Sequence, residues 1–589
     1  MSARSMRRAR ARALAAGTAV TLTAIAPAAA SADSVVTNTN NSGPGSLRQA
    51  LSDSNSSSDV DTITFAPSVT GTITVDSELT VNYGTRIDGP GAGSLTVRAP
   101  SSRVVFFYGF QASTLEIEGI TLTGMPPGAA PGAGIVANCV GAETNLVLTD
   151  AAIAGSTTTG NGGAIFSDGC DVVLASSTIS GNAALGATGD GGGIFLTDSA
   201  GGGVANRLTI TDSRVSGNFA GEDGAGIYVD EAPATVSIER STIAGNQTAP
   251  GACACGGGLR LEEPGPVTFD SSTISGNTAG AGGGMLVNSD APFTMRNSTV
   301  TGNSGQGGGL YFDNGSDGPF TVFNSTIAGN TAGDSEGGGI YTFGGSDEDL
   351  LLSSTIVANN TAAEDPDIHN ALSGSADVLA DHSLIGTSAG VLRFAESAPG
   401  TNVLNTGPIE LGPLADNGGP TQTMLPALGG PAIDAGAANA LTTDQRGLSR
   451  TVDQPFVSSF AGADPTDIGA VEVADSELSG PNLKAKKKQR QKGKKIKVVV
   501  RIGAAEAVTA RGSGTIKLGK KKVALTKPSE ELAGGETGKM TLKPKGRRAV
   551  RKVAGVLRRG KAARASVSVQ FTDAAGNEAD ASARVKLVG

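Results

Sequence analysis

The chain has no tryptophan, only 4% aromatic residues and two histidines, and no lysine precedes Lys484. So few aromatics beside 86 glycines argue against an ordinary globular enzyme core and suit short strands with many turns. The first 480 residues therefore lack the usual lysine bases, and His369 and His382 are their only imidazoles. After residue 32 no run approaches the roughly 18 apolar residues a membrane helix needs, so no transmembrane span is expected. Cysteine is scarce too: Cys139, Cys170, Cys253 and Cys255 have no histidine at zinc-site spacing, which argues against a zinc site.

Charge is split along the chain. Residues 33–480 hold 12 arginines against 48 acids, a net of −36. Residues 481–589 hold 19 lysines and 10 arginines against 7 acids, a net of +22, and such asymmetry marks domains with different partners. At the start, five arginines lie in Met1–Arg12, Ala13–Ala26 is apolar, and Ala30-Ser31-Ala32 offers a small-x-small cleavage site. Residues 1–32 read as a secretory signal peptide, with general export favoured over the twin-arginine route that Arg7-Arg8 suggests. The expected location is extracellular or cell-surface.

What the chain does have is a repeat. Ser-Thr-Ile-Ser-Gly-Asn at 177–182 returns with small edits, its asparagines falling at Asn182, Asn218, Asn246, Asn277, Asn303, Asn330 and Asn359. A glycine pair or triplet followed by a hydrophobic residue recurs in phase, at Ile165, Ile194, Ile227, Leu259, Met285, Leu310 and Ile340. The apolar anchors of the first phrase (Leu122, Ile153, Ile179, Val215, Ile243, Ile274, Val300, Ile327, Ile356) are 26 to 36 residues apart, one turn of a parallel β-helix. Val236 and Ile238 alternate, but Ile243 breaks the parity, so a bend intervenes, placed in most coils on a small polar residue: Asp212, Ser271, Asn297, Asn324 and Ser353. With the Gly-Gly-Ile strand this makes three short strands per coil. The asparagines are read as a structural column, hydrogen-bonding along the axis.

Three stretches resemble known families. Gly45-Ser46-Leu47-Arg48-Gln49-Ala50 resembles the CSLREA start of secreted β-helix proteins, with Gly45 where the cysteine would stand; Ser46 caps a short helix over the first coil. The repeats resemble right-handed parallel β-helices of polymorphic outer-membrane-protein type and of polysaccharide lyases. Residues 411–472, with LGPLADNGGPTQTMLPALGGPAIDAG, TDQRGLSR and DIGAVE, resemble the choice-of-anchor Q domain, with a long insert at Thr451–Thr466. The last hundred residues, with a TDAAGNE turn at 572–578, resemble bacterial immunoglobulin-like sandwiches. The expected fold is all-β, a right-handed parallel β-helix with an N-terminal capping helix and a C-terminal β-sandwich. The expected division is 1–32 signal peptide, 33–410 β-helix, 411–474 closing segment, 475–495 basic linker and 496–589 basic sandwich.

Lyases of this fold need a lysine or arginine base and calcium-holding acids, and the hydrolases need clustered aspartates. Here the arginines are scattered singly, Arg207, Arg240 and Arg260 among them, and no convergent set is legible, so no catalytic residues are assigned. Asp190, Asp223 and Glu336 precede glycine turns and leave calcium as an alternative, but no loop repeats a full ligand set, so solvated acids with no cofactor or metal are expected.

Stacking the Gly-Gly-Ile strands gives an outward column of Phe166, Phe195, Tyr228, Arg260, Leu286, Tyr311 and Tyr341. Two residues on lies Asp168, Thr197, Asp230, Glu262, Asn288, Asp313 and Phe343. Rings beside acids suit stacking of sugars and bonding of their hydroxyls; the competing reading is that loops cover the rings as packing. Cys139 and Cys170 follow adjacent anchors, Ile135 and Ile165, so a disulfide is expected, whereas Cys253 and Cys255 leave a local disulfide or a metal contact open. The leading expectation is a surface binding protein for extracellular polysaccharide or an anionic envelope polymer. Nucleic acid is not expected, a lyase or hydrolase and a passive rod are the rivals, and oligomeric state is not legible.

Overall fold

The computed structural model describes residues 34–589, apart from 57–59, 111, 127, 129, 141–143, 200–206, 231–234, 252–253, 315–318, 345–348, 373–376, 389–390, 392, 398–399, 455–463, 475–479, 505–506 and 574–576. The signal-peptide stretch, Cys253, most of the 451–466 insert and the tip of the 572–578 turn lie outside the described residues.

Three long parallel sheets run the length of a right-handed β-helix. Sheet I, which includes the Gly-Gly-Ile strands, has 11 strands, from Leu79–Val81 to Ile368–Leu372. Sheet II has 14 strands, from Ser34–Val36 to Phe394–Glu396, and sheet III, which carries the Ser-Thr-Ile phrase, has 13, from Gly71–Thr74 to Val403–Leu404. Each strand pairs with its copy in the next coil, as Ile227 with Leu259, Val236 with Val267 and Ile243 with Ile274. Their inward side chains form one continuous buried core. Stacking is what stabilises such coils, because a single one leaves its strand edges open. The helix Leu47–Ser54 closes the N-terminal end with Leu47, Ala50 and Leu51, while Arg48 donates to the carbonyls of Ser77 and Glu78.

The repeated phrase lies between two hydrogen-bond ladders. At its far end, from Asn218 onward, the asparagine Oδ1 accepts the backbone N–H and the Nδ2–H of the asparagine one coil earlier: Asn246 donates both to Asn277 at 2.9 Å, and Asn277 donates both to Asn303 at 3.0 and 2.9 Å. At its near end the leading serine does the same with its hydroxyl, Ser213 N to Ser241 Oγ at 3.0 Å and Ser241 N to Ser272 Oγ at 3.1 Å. The two phrases keep phase because the last glycine of each triplet leaves room for an asparagine. A Cβ on Gly226 would stand 3.0 Å from Asn246 Nδ2 and 2.3 Å from the Gly258 oxygen.

The expected bend residues Asp212, Ser271, Asn297 and Asn324 have φ of 46° to 52°, in the left-handed region where short polar side chains are tolerated. The last coil corrects the sequence reading by one residue. Thr326 pairs with Ile356 and Ile327 with Val357, so Val357 is the anchor and Ser354, at φ 47°, is the bend in place of Ser353. It follows that Asn360, and not Asn359, continues the ladder, and Asp367 Oδ1 ends it by accepting from Asn360 Nδ2 at 3.0 Å. Asn359 falls where earlier coils have glycine, adopts φ 60°, and bonds the backbone of Ile409.

Cys139 and Cys170 form a disulfide between adjacent coils, with a Cα–Cα distance of 5.1 Å. Beyond Leu404 the chain turns back along sheet III with no regular strands among its described residues to 474. Gln445 Nε2 bonds the Ser272 carbonyl and Thr273 Oγ1, Gln445 Oε1 accepts from Thr299, and Arg450 donates to Asn297. Ala432, Ala435 and Ile468 pack on Ile356, Ala358 and Leu384. Carboxylates replace a backbone ladder in this segment: Asp467 accepts the N–H groups of Asp434 and Val473, and Glu472 those of Val452 and Asp467.

The C-terminal fold has its own core, between a three-stranded and a six-stranded sheet, with the helix Arg547–Arg558 contributing Val553, Ala554 and Leu557. Strands Asn482–Lys484 and Lys488–Arg490 belong to these sheets, so structure begins inside the stretch expected to be linker. No helix among the described residues is long and apolar enough to cross a membrane.

Candidate functional site

Sheet I assembles both expected columns in register. Phe166 pairs with Phe195, Phe195 with Tyr228, Tyr228 with Arg260, Leu286 with Tyr311 and Tyr311 with Tyr341. The rings pack, as the competing reading has it, but they are covered by one another and by glycine turns. Phe195, Tyr228 and Tyr341 are 3%, 7% and 5% exposed, because each ring covers the next. Ring centroids are 5.4 Å apart for Phe166–Phe195, 5.3 Å for Phe195–Tyr228 and 4.7 Å for Tyr311–Tyr341. The glycine turns press on the same column, and a Cβ on Gly224 would come within 2.5 Å of Tyr228 Cβ. The ring column is thus partly packing, and what it offers outward is ring edges and hydroxyls. His369, absent from the sequence-derived column, extends it by stacking on Tyr341 at 4.8 Å, with Asp365 at 2.8 Å from Nδ1. Its coil has Pro366-Asp367 in place of the glycines, which hid the repeat; the Ile368-His369 pair is the signal that remained.

The acidic column divides. Asp168 accepts from the backbone and hydroxyl of Ser199 at 3.0 and 2.6 Å, so it holds a loop. Asp230 and Glu262 join a connected polar cluster with Arg260 and Tyr228. Tyr228 donates to Glu262 at 2.7 Å and lies 3.4 Å from Asp230. Arg260 is 3.2 Å from Asp223 and 3.3 Å from Glu262, its guanidinium 5.9 Å from the Tyr228 ring centroid. Asp313 stands further along, half-buried, its carboxyl raised by that burial. At the end of the column Phe343 is 49% exposed, the most open ring of this face.

Asp190 and Asp223 belong to a third ladder. Asp190 Oδ1 accepts the Asp223 N–H at 2.9 Å and Asp223 Oδ1 the Cys255 N–H at 2.7 Å. Burial pushes Asp190 up to about 7, the neighbouring charges of Asp223, Glu222 and Asp230 adding to it. Burial raises Asp223 as well, Arg260 opposing it. Burial alone would lower Arg260, but Asp223 and Glu262 outweigh it and hold the guanidinium cationic, which makes it a poor proton acceptor and a good clamp for the two acids. Arg207 and Arg240 are also paired, with Asp171 at 3.0 Å and with Asp212 at 2.8 Å. Among the described residues no group of three or more histidines, cysteines or acids is placed to hold a metal ion.

Stacked coils and parallel sheets paired in register define a right-handed parallel β-helix repeat protein. Within it, residues 205–362 match the family described as right handed beta helix region. No curated protein matches the chain.

Proposed function

We propose that the protein is an extracellular or cell-surface binding protein whose sheet I face recognises carbohydrate, and whose basic C-terminal fold attaches it to an anionic envelope polymer. The observation that carries the reading is the cluster of Tyr228, Asp230, Arg260 and Glu262, resumed by Tyr311, Asp313 and Phe343 beyond the intervening Leu286–Asn288 coil. Hydroxyls and carboxylates repeated at the coil spacing of about 4.8 Å suit the hydroxyls of a linear glycan. The ring faces are occupied by each other, so sugars are met by edges and hydroxyls, with Phe343 open for stacking.

A glycan array probed with the full chain is expected to retain a subset of linear glycans. The triple variant Asp230→Asn, Glu262→Gln, Asp313→Asn keeps the side-chain volumes and should weaken that retention at least tenfold. No retention by the wild type would contradict the reading. So would new reducing ends or unsaturated products abolished by changing Arg260 or a flanking acid, an outcome that would favour a lyase or hydrolase.

A further inference from the structure

In the six-stranded C-terminal sheet, five cations lie in one row across five adjacent strands. Lys488 pairs with Lys586, Lys586 with Arg564, Arg564 with Lys517 and Lys517 with Lys522. All five are exposed. Alternation puts Ile516, Ala563, Ala565, Val585 and Leu587 of the same strands in the core, so the row stands on the outward face. Among the described residues none of the five is ion-paired with an acid. Next to the row the outward positions hold Thr515, Ser566 and Arg584, which are small or cationic and leave the face unobstructed.

Folding alone does not favour this arrangement. Like charges directly opposite on neighbouring strands repel, and a separation of about 4.8 Å lies well inside a Debye length of about 8 Å. A regular line of charge is matched by a regular line of opposite charge, whereas a globular acidic protein presents no such repeat. One pyranose residue of an extended chain is close in length to the strand spacing, so one carboxylate per sugar keeps step with one cation per strand. We propose that this row is a docking track for a linear acidic polysaccharide with one carboxylate per sugar, laid across the strands. The inference rests on reading the C-terminal fold as the attachment half of the protein, and it names both the polymer class and the residues.

The test is calorimetric titration of the full chain with polygalacturonate at low salt, with poly(glycerol phosphate) as a second titrant. Lys517→Gln, Arg564→Gln, Lys586→Gln should weaken polygalacturonate binding about tenfold. Arg547→Gln, Arg548→Gln, Arg551→Gln removes the same charge from the helix and should change binding by no more than about twofold. Without polymer the row variant should melt no lower than the wild type, since repulsion has been relieved. Equal weakening by both variants would overturn the track in favour of diffuse attraction. Binding of poly(glycerol phosphate) but not polygalacturonate would overturn the polysaccharide assignment and leave attachment standing. Binding of neither would overturn attachment itself.

Discussion

Asn277→Ala is expected to destabilise the β-helix by about 3–5 kcal/mol, among the largest effects available to a single polar substitution here. The side chain is fully buried and makes four hydrogen bonds, donating to the Ile243 carbonyl and Asn303 Oδ1 and accepting from Asn246 N and Nδ2. Alanine removes all four and leaves their partners in a region closed to water, where each orphaned group costs more than a hydrogen bond nets. Asn360→Ala should resemble Asn277→Ala, whereas Asn359→Gly should cost no more than about 2 kcal/mol, since glycine suits φ 60° and only the two bonds to Ile409 are lost. Denaturant midpoints of the three variants check this. Equal losses for Asn359→Gly and Asn360→Ala would show the ladder to be wrongly placed.

Arg450→Ala should release the returning segment from sheet III at a cost of about 3–5 kcal/mol. This guanidinium is fully buried, donates to the Gly469 carbonyl at 2.8 Å and to Asn297, and is the cation opposite Asp467 and Glu472. Without it two buried acids lose a cation that offsets their charge when they ionise, and Asn297 loses its link to the segment. The expected readout is new protease cleavage within 405–474 and faster amide exchange on the sheet III strands beneath it, with the far-ultraviolet spectrum of the β-helix retained. Unchanged cleavage would contradict the role given to Arg450. The same contact should depend on pH. Burial raises Asp434 to about 7 and raises Asp467 and Glu472 as well. Above roughly pH 4, the ordinary carboxylate range, the docked segment keeps protons that a detached one releases, so docking is firmest in acid and weakens as pH rises through about 7.

The period and the strand parity were legible in the sequence because inward residues repeat in both phrases, and that was enough to place Tyr228 beside Arg260 and Asp313 beside Asn288. What escaped has three physical causes. Ser-Thr-Ile at 354–356 imitates the phrase one residue out of step, and only backbone pairing distinguishes Asn359 from Asn360. Exposure of the rings could not be read, since the outward direction of Phe195 and Tyr341 says nothing of how closely the coils above and below cover them. Gln445 and Arg450 act on residues about 150 positions earlier through a segment without periodicity, so no local pattern announces them.

Hydroxyl-radical footprinting of the full chain, with and without the glycan it retains on the array, asks whether sheet I is the carbohydrate-binding face. Protection of Tyr311 and Phe343, the more open rings of the face, is expected, with the residues of the 405–474 segment unchanged. Protection confined to that segment or to the C-terminal fold, with Tyr311 and Phe343 oxidised equally in both states, would contradict it.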